Sequence, residues 1–123
     1  EALSEADAIT LHVLLTEETK GFLNKDKLKL MKPNAIILNC SRGEVISEPD
    51  LISALEQKKI AGAALDVFSA EPLPTDSHLI NYAKKHNNLI LTPHIAGSTK
   101  EAIHEAGMFV AKKTQEFFGK EEA

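Results

Sequence analysis

Four short apolar runs set the terms for what this chain can fold into. They lie at residues 8–15 (AITLHVLL), 35–40 (AIILNC), 61–67 (AGAALDV) and 89–92 (LILT). They read as near-continuous rather than alternating, the pattern of parallel strands covered on both faces. A helical pattern follows each run. The expected architecture is therefore α/β, a parallel four-stranded sheet with helices on both faces. Right-handed crossovers then carry all four strand ends to one edge of the sheet.

The intervening segments supply helix signals. Asn24 is placed to cap a short helix reaching to about residue 31, before Pro33 interrupts. Ser47 with Asp50 at capping-box spacing, and Pro49 in the first turn, open a second helix. Its Leu51, Ile52, Ala54 and Leu55 recur at intervals of three and four, and Lys58 and Lys59 suit its dipole at the far end. A proline-bearing loop leads to a short helix over 77–85. Ser98 and Glu101 form a second capping-box pair for a helix running to about Phe118, with Gly119 as its stop. Ile103, Ala106, Val110, Ala111, Thr114, Phe117 and Phe118 fall along one side of that helix.

Composition narrows the function classes. The chain has 123 residues, 43% of them hydrophobic, enough for one compact core. A net charge of −4 without a basic stripe argues against nucleic acid or an anionic membrane as partner. The single Cys40 excludes an internal disulfide and suits a reducing, cytoplasmic setting. No apolar run approaches the ~18 residues of a membrane span. The first residues lack the marks of a signal peptide. The chain starts without Met and directly in patterned sequence, as a processed or excised piece would.

The shared edge should gather Val13, the turn at Cys40, Ser41 and Arg42, the stretch from Asp66 to Glu71, and the loop of His94, Ile95, Ala96 and Gly97. This puts one guanidinium, two carboxylates and one imidazole together. An imidazole beside a buried Glu has its pKa raised and can exchange a proton with an alcohol near neutral pH. A guanidinium fork matches a carboxylate or an α-keto acid bidentately. An Arg, a His and an acid near a cleft are what oxidation of a 2-hydroxy acid requires. The residues alone also allow plainer readings: a surface arginine in a turn, a histidine capping a strand, two solvated acids. His12, His78, His86 and His104 show no pair at ligand spacing, so no metal site is expected. His12 reads as a packed or hydrogen-bonded core residue. Cys40 has no upstream His suited to nucleophilic catalysis, and Ser41 and Ser98 lack a glycine-flanked elbow.

Three motifs carry a resemblance. Asn39-Cys40-Ser41-Arg42-Gly43, then Gly62-Ala63-Ala64-Leu65-Asp66-Val67-Phe68 with Glu71-Pro72, then Thr92-Pro93-His94-Ile95-Ala96-Gly97-Ser98-Thr99 resemble the D-isomer-specific 2-hydroxyacid dehydrogenases, most closely the 3-phosphoglycerate dehydrogenase branch. The resemblance implies NAD as cofactor and a small 2-hydroxy or 2-keto acid as substrate. It implies that Arg42 binds the substrate's carboxyl and keto groups, that His94 is the general acid/base, and that Glu71 holds and charges it. It places Asp66 on the nicotinamide carboxamide, and Val13, the turn from Cys40 through Ser41 to Arg42, and His94, Ile95, Ala96 and Gly97 along the cofactor.

Two departures matter. Leu14 stands where the family usually has Pro, in a cofactor-facing segment. No G-x-G-x-x-G occurs in the chain, so the pyrophosphate seat is missing, and the family's substrate domain is missing too. Residues 1–123 thus resemble the C-terminal half of a Rossmann-type NAD-binding domain. Its first strand is expected to be an unpaired apolar edge, and self-association is expected through that edge or through a face the absent half would cover. Three readings follow: part of a dehydrogenase, inactive alone; a dinucleotide-sensing relative without catalysis; or a folding module.

Overall fold

A computed structural model describes residues 2–119. Four parallel strands form one sheet in the order β1 (Ala8–Leu11), β2 (Ile36–Asn39), β3 (Gly62–Leu65), β4 (Leu89–Leu91). The helices are α1 (Ala2–Glu5), α2 (Lys25–Leu28), α3 (Glu48–Glu56), α4 (His78–Ala83) and α5 (Lys100–Phe118), with a short 3-10 turn at Gly43–Val45. Leu11, Asn39, Leu65 and Leu91 stand in one row across the sheet. The loops leaving the four strands therefore start from a common edge, as expected.

The register also separates the two faces. Leu11, Ile37, Leu65 and Leu89 point into a core shared with Leu28, Leu51, Leu55 and Leu79 of the helices. The next row, Thr10, Leu38, Ala64 and Ile90, points the other way. On that side Ile90 is 62% exposed and Ile36 43%. The parallel sheet with its helices is as expected, but among the described residues helices cover one face rather than both. Thr10 and His12 carried that signal as a weak alternation in the first run. Near-continuous apolar runs show that both faces are fit to be covered, not that the chain itself covers them. The same holds for α5, which buries none of its side chains; its apolar side, with Ile103, Val110 and Phe117, faces solvent.

Two of the capping expectations are corrected. Asn24 caps α2 as expected, accepting from the amides of Asp26 and Lys27 at 3.2 Å each. Ser47, by contrast, makes no side-chain bond to α3. Both acids in the first turn of α3 turn to other segments. Asp50 accepts from the Lys25 amide at 3.0 Å, and Glu48 from the Ser69 amide at 2.7 Å. Free amides elsewhere compete for a carboxylate as well as the helix's own do. The cap of α5 is Thr99, whose hydroxyl accepts from Ala102 at 3.1 Å. Ser98 closes the preceding turn through its amide, 2.9 Å from the Ile95 carbonyl. His12 is exposed rather than in the core, beyond the end of β1, and bonds Thr10 Oγ1 at 2.8 Å.

Candidate active site

Asp66, the first residue after β3, is 4% exposed and holds three donors. Its Oδ1 accepts from the Thr92 hydroxyl at 2.5 Å and the Ile95 amide at 3.0 Å; its Oδ2 accepts from the Ala96 amide at 2.9 Å. Burial pushes this carboxyl up, but the Thr92 hydroxyl and the two amides together outweigh it and hold the group below its ordinary value. One carboxylate thus shapes the loop after β4. It does so across about thirty residues of sequence, which adjacent parallel strands make short in space.

That loop presents His94. Its φ is +54°, in the left-handed region that non-glycine residues enter at a cost of about 1–2 kcal/mol. The bonds from Asp66 to the next two amides offset that cost. The ring is held from the other side: Nδ1 lies 2.7 Å from Glu71 Oε2, while Glu71 Oε1 accepts from the Phe68 amide at 3.0 Å. The hydrogen bond with His94, and next the Phe68 amide, hold the Glu71 carboxyl below its ordinary value. With Nδ1 engaged, Nε2 is the nitrogen left for a reacting group. The pair lies at the surface, not buried as the sequence led us to expect, because both residues stand on loops beyond the strand ends.

The turn after β2 is built by a residue that sequence reasoning missed. Asn39, 1% exposed, donates from Nδ2 to the Arg42 carbonyl at 2.9 Å. Its Oδ1 accepts from the Ser41 amide at 3.0 Å and the Ser41 hydroxyl at 2.9 Å. The Arg42 guanidinium donates to the Ser41 carbonyl at 2.6 Å and is exposed. Gly43 packs against the loop after β3: a Cβ there would lie 1.9 Å from the Phe68 carbonyl carbon. A glycine is therefore what lets the turn bearing Arg42 and the loop bearing Glu71 touch. Asn39 and Gly43 stood inside the quoted motif, but without a spatial neighbour neither had a readable task.

Two hollows meet at Cys40, Asp66 and Ala96. One, about 650 Å³, is also lined by His94, Gly97 and Ser98; the other, about 290 Å³, by Leu38, Ala64, Ile90 and Ile95. Cys40, Asp66, His94, Ile95, Ala96 and Gly97 are thus brought together as expected. Ser41, Arg42 and Val13 line neither hollow, although their loops leave the same edge. A third hollow, about 630 Å³ and largely apolar, lies against His94 and Glu71 and is walled by Phe68, Leu73, Leu91 and Pro93. Of the three, the 290 Å³ hollow is the one that combines apolar walls with the buried Asp66 carboxylate. No glycine-rich turn is present to receive a pyrophosphate.

Residues 1–96 match the family described as D-isomer specific 2-hydroxyacid dehydrogenase, NAD binding domain. A D-3-phosphoglycerate dehydrogenase of Bacillus subtilis is 44% identical over 117 residues, 95% of this chain and 21% of that protein. A glyoxylate reductase of Thermococcus litoralis is 46% identical over 110 residues, 89% of this chain and 32% of that protein. Among solved structures, the NAD-complexed form of a D-isomer specific 2-hydroxyacid dehydrogenase from Lactobacillus delbrueckii ssp. bulgaricus superposes with a TM-score of 0.79 at 30% identity, over 95% of this chain and 38% of that one. The chain belongs to the D-isomer specific 2-hydroxyacid dehydrogenase family, in its NAD-binding domain. It spans between a fifth and a third of the length of these two curated relatives.

Proposed function

We propose that this chain is the nicotinamide-side half of the dinucleotide-binding domain of an NAD-dependent D-2-hydroxyacid dehydrogenase, acting on a small 2-hydroxy or 2-keto acid. Among such substrates 3-phosphoglycerate and 3-phosphohydroxypyruvate are favoured by the relative from Bacillus subtilis. The observation that carries the reading is the 2.7 Å bond between His94 Nδ1 and Glu71. It fixes the ring with Nε2 available, the arrangement a general acid/base needs.

In the oxidative direction His94 takes the hydroxyl proton onto Nε2 as the C2–H bond breaks, and Glu71 stabilises the imidazolium that forms. Bound NAD supplies the acceptor for the hydride leaving C2. Arg42 pairs with the substrate carboxylate and keto oxygen once its fork leaves the Ser41 carbonyl. Asp66 has spent three of about four acceptor positions inside the protein; the remaining one, on Oδ2, is assigned to the carboxamide of the nicotinamide. Cys40, Ser41, Val13 and residues 95–97 line the cofactor's path. The setting is cytoplasmic, and the chain alone is inactive.

Titration of the isotope-labelled chain with NADH tests this. Amide shifts are expected at Cys40 and residues 94–97, with a dissociation constant weaker than ~1 mM because the pyrophosphate seat is missing. Shifts confined to other surfaces sink the cofactor assignment. In the complete enzyme, His94→Ala is expected to lower turnover far more than NAD affinity. Equal losses in both refute the acid/base role.

A second proposal concerns partners. Among the described residues β1 pairs with β2 alone and is an edge strand of the sheet, so we assign self-association to that edge. Light scattering at rising concentration is expected to show a growing mass; a constant monomer mass counts against it.

A further inference from the structure

Glu48 lies on α3, outside the three motifs that carry the family resemblance, and its carboxylate reaches the loop that carries Glu71. Two consecutive amides of that loop are each held by a carboxylate. The Phe68 amide donates to Glu71 Oε1 at 3.0 Å, and the Ser69 amide to Glu48 Oε1 at 2.7 Å. The other oxygen of Glu71, Oε2, is the one that faces His94 Nδ1 at 2.7 Å. Behind the loop, Gly43 stands so close to Phe68 that no side chain fits between them. The loop is therefore held by backbone contact on the Gly43 side, by its own Glu71, and by one side chain from a helix. Charge-assisted bonds to backbone amides are among the stronger hydrogen bonds, and this one anchors a loop whose geometry sets where Oε2 lies.

We propose that Glu48 is a positioning residue for the acid/base pair: by holding the Ser69 amide it fixes the loop in which Glu71 is oriented toward His94. The proposal rests on the role given above to Glu71 and His94, but its test needs neither substrate nor cofactor. Pro49 and the first turn of α3 set the base from which Glu48 reaches out. Asp50, two residues on, is occupied with the amide of Lys25. Among the hydrogen bonds of the described residues, the one from Glu48 is the only side-chain bond to the Ser69 amide.

The experiment compares wild type, Glu48→Gln, Glu48→Asp and Glu48→Ala by NMR on the whole chain. It reads hydrogen exchange at Ser69 and the 15N shift of His94 Nδ1, which reports whether that nitrogen keeps its bond to Glu71. Glu48→Gln keeps an acceptor at the same reach; Glu48→Asp keeps the charge but is one methylene short. The expected result is a loss of Ser69 protection of tenfold or more in the Asp and Ala variants. Their His94 Nδ1 shift should move toward that of Glu71→Gln, while Glu48→Gln stays near wild type in both. If the His94 Nδ1 shift keeps its wild-type value although Ser69 has lost its protection, Glu48 is a loop anchor only and the proposal fails. It fails equally if Glu48→Gln behaves like Glu48→Ala, since the hydrogen bond is then not what matters. Should Glu48→Ala not fold, the Asp and Gln pair decides alone. A wild-type His94 Nδ1 shift equal to that of Glu71→Gln would instead refute the underlying acid/base pair, a result distinct from both.

Discussion

Two carboxylates five residues apart in sequence do opposite things at the same sheet edge. Asp66 is buried and spends itself inside the protein, on one hydroxyl and two amides of the next strand's loop. Glu71 is exposed and spends one oxygen on its own loop and the other on an imidazole. The first mainly builds the loop that presents His94, with one acceptor position left over; the second holds the ring of His94 directly. The difference predicts that stability and activity separate: changes around Asp66 should unfold, and changes at Glu71 or His94 should disable without unfolding.

The largest effect is expected where architecture leaves no room. Gly43→Ala places a methyl group 1.9 Å from a backbone carbon of Phe68, and a backbone cannot swing aside as a side chain does. A loss of about 3 kcal/mol or more is expected in urea unfolding. A loss below about 1 kcal/mol would mean that the contact between the Arg42 turn and the Glu71 loop is loose. Next comes Asp66→Ala, which strands three donors at once; about 2–3 kcal/mol is expected. Asp66→Asn keeps an acceptor and should cost less.

Acid sharpens the same contrast. The Asp66 carboxyl titrates lower in the folded state than its ordinary value of 3.8, so the unfolded chain binds the proton more readily. Its stabilisation is fully present above that value and is lost as pH falls through the depressed folded one. Glu71 follows the same sign from its ordinary 4.5, but as an exposed group it should weigh little. Stability measured from pH 5 down to pH 2 should therefore fall less steeply in Asp66→Asn than in wild type, and with almost the wild-type slope in Glu71→Gln. The reverse ranking would make the surface pair the structural one.

How much of this was legible follows the same division. The strands could be read because four apolar runs bounded by turn residues leave few other folds, and parallel pairing then put His94 and Glu71 at one edge. The bonds from Asp66 to Ile95 and Ala96, or from Glu48 to Ser69, could not be read. They join residues twenty to thirty positions apart, and a carboxylate carries no mark of which amide it will meet. The capping box at Ser47 failed for that reason, its Asp50 going to the amide of Lys25, whereas at Ser98 the cap moved by one residue to Thr99.

The open face of the sheet gives the smallest expected effect and the test that reaches furthest. Ile90 sits in the row with Thr10, Leu38 and Ala64 and is 62% exposed. If nothing covers it, Ile90→Lys removes little burial and should change stability by no more than about 0.5 kcal/mol. The α5 side chains, none of them buried, give the same expectation for Val110→Lys. A loss of about 2 kcal/mol at Ile90 that grows with protein concentration would show a second copy lying on this face, moving the self-association from the β1 edge to the sheet's surface. A loss of that size independent of concentration would instead mean that the chain closes its own face. The contrast drawn here would then extend from two carboxylates to the two faces of the sheet, because β4 would serve the core on both.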